Sequence, residues 1–245
     1  MKKVVLVTGC KGGIGAAICN KFIHAGWQVI GTDINEEGEC DFDFIHLDLQ
    51  KHNQIKALVH HIKEKYSRLD CIINNAASQI CKSISNTSFD DWDNVMDINL
   101  KAPYFLIKYC RPLLKATQGN IVNISSIHSI ATSKKMSVYA ISKSGLSQLT
   151  RSLAIDFAED NIRVNAILPG AILTDMLIAG LSRDQSSGAP KKLKELADKT
   201  VLKRIGKPDE IAEATYFLAD NNASSFITGL SLVVDGGATI KLSTE

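Results

Sequence analysis

The sequence predicts an α/β fold in which helices cover both faces of a doubly wound parallel sheet. Short apolar runs rich in Val and Ile alternate with amphipathic segments along the chain, which is the pattern of parallel strands joined by crossover helices. A glycine-rich turn follows the first run, as it does in mononucleotide-binding units. No linker, long charge run or internal repeat interrupts the 245 residues, so we expect a single domain over residues 1–245.

The first strand, turn and helix occupy the N-terminal part of the chain. Residues 4–7 are a short β-branched run that ends near glycines, typical of a buried parallel strand. The segment Thr8-Gly9-Cys10-Lys11-Gly12-Gly13-Ile14-Gly15 then leads into an amphipathic helix. Such a turn brings bare backbone amides and the positive end of the helix dipole to one point, which suits a pyrophosphate. Because any tight turn could use these glycines, the motif alone is weak evidence.

Asp33 ends the second predicted strand, residues 28–33. It lies about twenty residues past the glycines, where an acid binds the adenosine ribose in NAD-type sites. A carboxylate there accepts hydrogen bonds from the ribose hydroxyls and repels a 2′-phosphate, so NAD is favoured over NADP. Lys11 argues the other way, since a base in the glycine loop can receive that phosphate. We give Asp33 more weight because it lies where the hydroxyls would be.

Strands and helices alternate through the rest of the chain, and the polar segment after Asp33 is too short for a full helix. Asp33, Asp48 and Asn75 each lie at the carboxyl end of a predicted strand, the edge at which such sheets bind ligands. Further strands are predicted at residues 44–47, 69–73, 120–124, 163–168 and 230–234, and helices at about residues 54–66, 89–114, 145–158 and 209–219.

The helix that begins near Phe89 has a start signal and an internal disturbance. Ser88 can cap its first turn. Pro103 should bend the helix or interrupt its backbone hydrogen bonds near Asn99. The Asn99 side chain can then serve the backbone groups that are freed.

Tyr139 and Lys143 lie four positions apart, so they share one face of a helix. A neighbouring cation favours the phenolate and lowers the pKa of the phenol, which makes Tyr139 a candidate acid/base. Since a tyrosine and a lysine on any helix surface give the same spacing, the pair needs support from elsewhere. Ser126 follows the strand at 120–124 on the same rim as the glycine loop. His128 is either a hydrogen-bonded loop histidine, the preferred interpretation, or a substrate contact.

Composition argues against several classes of protein. The net charge of +2 gives no field for nucleic acid or an anionic membrane surface. The six cysteines show no CxxC spacing and the six histidines are scattered, so we expect free thiols in a reducing compartment and no metal site. No segment has the length of a transmembrane helix or signal core, and a cytoplasmic protein is expected.

The chain closely resembles the short-chain dehydrogenase/reductase family over essentially its whole length. The resemblance implies a seven-stranded Rossmann-type sheet and a homotetramer formed through the helices that contain Asn99 and Tyr139. Ala77, where glycine is commoner, and the abbreviated stretch after Asp33 depart from the family pattern without touching the site. The motifs are Thr8-Gly9-x-x-x-Gly13-Ile14-Gly15, Asn74-Asn75-Ala76-Ala77, Asn99, Ser126, Tyr139-x-x-x-Lys143, Pro169-Gly170 and Asp235-Gly236-Gly237.

The resemblance also implies a catalytic set and a cofactor site. Tyr139 would be the acid/base, and Ser126 would hydrogen-bond the substrate oxygen. Lys143 would bind the nicotinamide ribose and, together with the positive charge of the oxidised ring, lower the pKa of the phenol. Asn99 would hold a water for proton relay. Besides Tyr139 and Lys143, the implied cofactor contacts are Gly9, Gly13, Ile14, Gly15, Asp33, Asp48, Asn75, Ala76, Pro169, Gly170, Ile172 and Thr174.

The implied activity is an NAD-dependent interconversion of a secondary alcohol and its ketone, by analogy a polyol, sugar or cyclic diol. An NADPH-dependent carbonyl or 3-oxoacyl reductase and a non-catalytic dinucleotide-sensing protein are the alternatives. Residues 175–203 are charged and include Ser186-Ser187-Gly188-Ala189-Pro190. We expect this segment to be a mobile substrate lid, with simple disorder as the alternative.

Overall fold

A computed structural model describes residues 2–36, 38–182 and 188–241. Its seven strands form one parallel sheet, which confirms the predicted architecture. The strands are β1 Val4–Thr8, β2 Gln28–Asp33, β3 Asp43–His46, β4 Cys71–Asn74, β5 Asn120–Ile124, β6 Arg163–Pro169 and β7 Ser231–Val234. Their order across the sheet is β3-β2-β1-β4-β5-β6-β7. The order reverses between β1 and β4, and ligands of open α/β sheets bind in the crevice at such a point.

Helices lie along the chain between and after these strands. They are α1 Gly13–His24, α2 His52–Tyr66, α3 Phe89–Met96, α4 Ala102–Thr117, α5 Ser137–Asp156, α6 Asp175–Ser182, α7 Ala189–Lys199, α8 Pro208–Ala219 and α9 Asn221–Ser224. None of the described residues between β2 and β3 is helical, as predicted. No helix in the described ranges has the length and apolar character needed to cross a membrane.

The core has two layers because both faces of the sheet are covered. Val4 and Leu6 pack with residues of α2, α4 and α5, whereas Val5 and Val7 pack with residues of α1 and α8. Successive side chains of a strand point to opposite faces, so a strand covered on both sides is apolar throughout. This explains why the first strand is a continuous apolar run rather than an alternating one.

The fourth strand begins two residues later than predicted, at Cys71. The Val4 N–H donates to the Asp70 carboxylate at 2.8 Å, and the Arg68 guanidinium pairs with the same carboxylate. The side chain of Asp70 therefore takes the place of a backbone partner at this end of the strand. Asp70 and Arg68 fix the amino end of the sheet, opposite to the ligand edge.

The predicted disturbance near Asn99 is confirmed. Residues Asp97–Lys101 form a π-helical turn between α3 and α4, in which the Ala102 N–H donates to the Asp97 carbonyl. The turn lies directly before Pro103, which has no N–H to continue the α-helical pattern. Ser88 caps α3 as expected, with its hydroxyl accepting from the Asp91 N–H at 3.1 Å.

Residues 175–203, the expected lid, contain two helices. The helices α6 and α7 occupy 175–182 and 189–199, and Met176, Leu177 and Leu196 line the cleft described below. Ser186 and Ser187, on which the expectation of mobility partly rested, lie outside the described residues.

Candidate active site

A cleft of about 620 Å³ opens along the carboxyl edge of the sheet, within the size range of small-molecule sites. Its lining includes fifteen of the predicted site residues, which the sheet order brings together from seven separate segments. Asn99 is the predicted residue that does not line it. Those that do are Gly9, Gly13, Ile14, Gly15, Asp33, Asp48, Asn75, Ala76, Ser126, Tyr139, Lys143, Pro169, Gly170, Ile172 and Thr174.

The glycine turn holds the start of α1 against β1. Gly9 has φ +66°, and a Cβ on Gly15 would collide with the carbonyl oxygen of Gly9. Gly12 is the N-cap of α1, and as a glycine it has no side chain with which to cap the helix. Uncapped first-turn N–H groups and the helix dipole favour an anion. The cradle therefore fits the pyrophosphate of a dinucleotide.

Asn75 ties the carboxyl ends of β1 and β4 together. Its Nδ2 donates to the carbonyls of Thr8 and Gly9, each at 3.0 Å. The Thr8 hydroxyl accepts from the backbone N–H groups of Asn75 and Ala76, each at 3.1 Å. These bonds fix the floor of the cleft at the point where the strand order reverses.

The acid at the end of β2 is held in the cleft by the backbone. The two carboxylate oxygens of Asp33 accept from the N–H groups of Lys11 and Asn35, each at 3.0 Å. A carboxylate has about four acceptor positions, so Asp33 keeps capacity for further donors such as hydroxyls. The Lys11 ammonium donates to the Gly38 carbonyl at 2.8 Å and lies 4.3 Å from the centroid of the Phe44 ring.

Ser126, Tyr139 and Lys143 meet at the other end of the cleft. Ser126 follows β5 in an extended conformation, and its side chain lies close enough to Tyr139 to lower the pKa of the phenol. The Lys143 ammonium donates to the Ile124 carbonyl at 2.8 Å and lies 5.7 Å from the Tyr139 ring centroid. All three side chains are buried, so their charge states depend strongly on desolvation.

The electrostatics of the pair differ from the expectation. Burial raises the pKa of Tyr139 to about 12, against a smaller lowering by the bond to Ser126. Burial lowers the pKa of Lys143 to about 7. In the chain alone the pKa of the phenol is therefore raised and not lowered, because desolvation is the largest contribution. The lowering by Lys143 together with the oxidised nicotinamide ring stays a prediction for the cofactor-bound protein. Additional positive charge or donors must come from a ligand.

Asn99 is fully buried and bridges two segments. Its Oδ1 accepts from the Ser78 N–H at 2.7 Å, and its Nδ2 donates to the Ser78 carbonyl and the Ser142 hydroxyl, each at 2.9 Å. The Ser142 hydroxyl in turn donates to the Tyr139 carbonyl at 2.8 Å. The expectation that Asn99 serves backbone groups freed in its own helix is wrong. It joins the loop after β4 to the first turn of α5.

A chain of buried polar side chains holds α5 on the sheet. The Ser125 hydroxyl donates to the Lys143 carbonyl at 2.9 Å and pairs with Ser147 at 2.8 Å. The Asn123 Nδ2 donates to Thr150 at 2.9 Å. The sequence analysis missed these residues. Their signal is a line of small polar side chains on the helical face of Lys143, where an apolar stripe would be usual.

The end of the cleft beyond Tyr139 contains His128, for which the sequence left two interpretations open, and further residues that were not predicted individually. The His128 ring lies edge-on to the Tyr139 ring, 5.7 Å between centroids, and its Nδ1 is 3.1 Å from the Thr132 hydroxyl. Gln79, Met176, Leu177 and Leu196 also line this end. Gln79 lies two residues past the Asn-Asn-Ala-Ala motif, whereas the residues of α6 and α7 have no motif that would have marked them.

Comparisons with known proteins agree with this geometry. The family model described as enoyl-(acyl carrier protein) reductase matches residues 9–239. A cyclopentanol dehydrogenase of Comamonas testosteroni is 35% identical, with 97% of each chain covered. The ligand-free aldohexose dehydrogenase of Thermoplasma acidophilum is 36% identical with a TM-score of 0.95, covering 99% of this chain and 96% of that one. A 4-hydroxyisoleucine dehydrogenase in complex with NADH is 28% identical with a TM-score of 0.86, covering 98% and 100%.

Proposed function

The chain belongs to the short-chain dehydrogenase/reductase family and is an NAD(P)-dependent oxidoreductase of alcohol groups, and on that premise we propose that it uses NAD to interconvert a secondary alcohol and its ketone. One observation carries the proposal: Ser126 and Tyr139 both line the cleft and interact closely enough for Ser126 to lower the pKa of the phenol, with Lys143 on the next turn of the Tyr139 helix. This places a candidate acid/base beside a donor for the substrate oxygen.

Each of these residues has a separate role in the proposed reaction. The nicotinamide ring supplies the hydride acceptor or donor. Tyr139 takes the proton of the substrate hydroxyl during oxidation and returns it during reduction. Ser126 hydrogen-bonds the same oxygen and stabilises the charge that develops there. Lys143 would hold the ribose hydroxyls of the bound cofactor. These acceptors would favour the ammonium form of Lys143, which in turn would favour the phenolate of Tyr139.

Asn99 acts in this proposal as a positioning residue. Through Ser78 and Ser142 it fixes the loop after β4 relative to Tyr139. The water relay implied by family resemblance remains a prediction for the same residue.

The choice of NAD rests on Asp33. Its carboxylate is fixed at the end of β2 with acceptor capacity toward the cleft, where it would bind ribose hydroxyls and repel a 2′-phosphate. The Lys11 ammonium is directed to the Gly38 carbonyl and the Phe44 ring. The NADH complex of the 4-hydroxyisoleucine dehydrogenase is consistent with the proposal. An NADPH-dependent reductase is the alternative, in which Lys11 would turn toward the phosphate.

We further propose that the substrate is a polyol, sugar or cyclic diol, that the protein is cytoplasmic and that it is a homotetramer. The aldohexose dehydrogenase is named for a sugar, which supports this substrate class, and the cyclopentanol dehydrogenase is named for a cyclic alcohol with one hydroxyl. Association would cover several exposed apolar side chains, which are Ile141 and Ile155 of α5, Tyr104 of α4, and Phe226 and Ile240 near β7.

Helices α6 and α7 with the residues between them would form the substrate lid. Residues 1–245 would form one domain.

The first test is the initial rate of NAD and NADP reduction against a panel of polyols, sugars, cyclic diols, hydroxy acids and steroid alcohols. We expect turnover with NAD on one class. Replacing Tyr139 by Phe should lower kcat by about 10²- to 10⁴-fold, while NADH binding, followed by fluorescence, survives. Substantial residual turnover in Tyr139→Phe would contradict the acid/base role, and turnover with NADP alone would contradict the role of Asp33.

A further inference from the structure

His128 offers an unused hydrogen-bonding group close to the reacting atoms. Its ring packs edge-on against Tyr139, its backbone N–H donates to the Ser126 hydroxyl at 3.1 Å, and its Nδ1 pairs with Thr132. Within the described residues no partner is found for Nε2. The ring is part of the cleft lining, so a substrate oxygen held by Ser126 and Tyr139 would lie near it.

Gln79 offers a second such group. Its Nε2 is 3.8 Å from the Met136 sulfur, and a thioether is a weak acceptor. No partner for its Oε1 occurs in the part of the chain that the structure describes. Met136 is the residue before α5, so Gln79 and His128 both adjoin the first turn of the helix that carries Tyr139. Ser78, its neighbour, is fixed to that helix through Asn99.

Among the residues that the structure describes, this end of the cleft has no ammonium or guanidinium group for an anionic substrate. Among the described lining residues the lysines are Lys11 and Lys143. Lys11 interacts with Gly38 and Phe44 near the Asp33 end, and Lys143 lies under Tyr139 on the Ile124 carbonyl. Asp175, also in the lining, would repel a carboxylate. A buried carboxylate without a partner is strongly unfavourable.

A hydroxyl is the group that these side chains fit. Where the Thr132 hydroxyl donates to Nδ1, a neutral His128 carries its proton on Nε2, which is then a donor. In the other tautomer the proton is on Nδ1 and Nε2 is an acceptor. A hydroxyl satisfies either form, and the Gln79 amide likewise has both a donor and an acceptor. Because His128 contacts Tyr139 and Ser126 directly, the hydroxyl must be close to the reacting one.

We propose that His128 and Gln79 bind a second hydroxyl on the carbon next to the reacting carbon, so that the substrate class is the uncharged vicinal diols, sugars included. The inference rests on the proposed dehydrogenase function and specifies its substrate. Sites built to hydrogen-bond a hydroxyl discriminate against analogues that lack it, because the buried polar groups are left unpaired.

The test compares three five-membered rings with NAD: cyclopentane-1,2-diol, cyclopentanol and 2-hydroxycyclopentanecarboxylate. We expect kcat/KM for the better diol isomer to exceed that for cyclopentanol, and that for the carboxylate, by about tenfold or more. Oxidation of cyclopentanol or of the carboxylate as efficiently as of either diol isomer would overturn the inference while leaving the dehydrogenase function intact.

Two variants assign the preference to these residues. His128→Phe keeps a ring against Tyr139 and Gln79→Leu keeps the size of the side chain. Each should reduce the diol preference several-fold, and both together should nearly abolish it, because kcat/KM for the diol should fall by more than kcat/KM for cyclopentanol. His24→Phe, on the exposed last turn of α1, is the matched control and should keep the preference. An unchanged preference in the double variant would overturn the assignment.

A binding measurement decides the question even where turnover is absent. Calorimetry on Tyr139→Phe protein saturated with NAD should show diol binding about tenfold tighter than cyclopentanol binding, and the difference should disappear when His128→Phe and Gln79→Leu are added. Equal affinities in Tyr139→Phe would overturn the inference. If wild-type protein oxidised none of the alcohols while Tyr139→Phe protein still bound the diol selectively, the proposed function would instead be overturned.

Discussion

Lys143 is the residue whose environment departs furthest from that of an ordinary surface side chain. It is buried, and its ammonium has one described protein acceptor, the Ile124 carbonyl. Burial lowers its pKa from 10.5 to about 7. Between these values the unfolded chain binds more protons than the folded chain, so the stability of the cofactor-free protein rises with pH. Tyr139, whose pKa is raised to about 12, gives the opposite slope above pH 10.

This environment predicts how a substitution of Lys143 depends on pH. Lys143→Met removes the titrating group. The free energy of unfolding of the variant should therefore exceed that of the wild type by the largest amount at pH 7. The advantage should shrink as the pH rises toward 10. Urea unfolding of both proteins without cofactor measures it, with the exposed Lys108→Met as matched control. A difference that stays constant between pH 7 and 10 would show that Lys143 titrates normally.

Asp33 makes a residue-scale prediction about cofactor choice. Asp33→Ser removes the negative charge and leaves a small hydroxyl at the end of β2. The ratio of kcat/KM for NAD to that for NADP should therefore fall about tenfold or more. Steady-state rates with each cofactor measure the ratio, and Asp90→Ser on the exposed first turn of α3 is the control. An unchanged ratio in Asp33→Ser would mean that another residue selects the cofactor.

At the scale of elements, α5 is positioned by polar contacts rather than by an apolar stripe alone. Thr150 accepts a hydrogen bond from Asn123, which accepts one from Asn74 at 2.7 Å. Thr150→Val keeps the shape and leaves a buried amide donor without an acceptor. We expect a loss of about 1–3 kcal/mol in the free energy of unfolding.

Thr215 provides a matched control for that prediction. It is equally buried on α8, but its hydroxyl donates only to the Ile211 carbonyl of its own helix. Thr215→Val should therefore cost clearly less than Thr150→Val in the same chemical denaturation experiment. Equal losses would indicate that the Asn123–Thr150 bond contributes nothing specific.

The elements also differ in how well the sequence predicted them. β2 and β5 have the predicted bounds, and the Val and Ile residues that indicated these strands are buried. The sequence did not predict helix α7, because its many charged residues obscure the apolar periodicity. Leu193, Leu196 and Ala197 nevertheless lie at helical spacing on its less exposed side. Motif residues at the cleft could be located from glycines and strand ends. The partners of Asn99 could not, because they come from sequence-distant segments.

At the scale of the whole molecule, the exposed apolar side chains predict association. The chain mass is 26.7 kDa, and light scattering after size exclusion should give four times that value. Ile155, 77% exposed on α5, tests the helical surface: Ile155→Lys should reduce the assembly to dimers or monomers, since a charge buried in an interface needs a partner. A monomeric wild type would contradict the proposed tetramer.

The order of the strands has a consequence for biosynthesis. β1 is central in the sheet, yet its neighbour β4 pairs with it across about 66 residues of chain, as in the register of Val5 with Cys71. While the ribosome makes residues 34–70, one edge of β1 stays open with its N–H and C=O groups unpaired. β4 then pairs with this edge of β1 and leaves its own outer edge unpaired. β5, β6 and β7 each pair in turn with the strand before them, and β7 is the last strand of the sheet. An unpaired apolar edge can pair with the same edge of another nascent chain. Termination before β7 should therefore give a product prone to aggregation. We expect the need for chaperones to be greatest while residues 8–70 are being made.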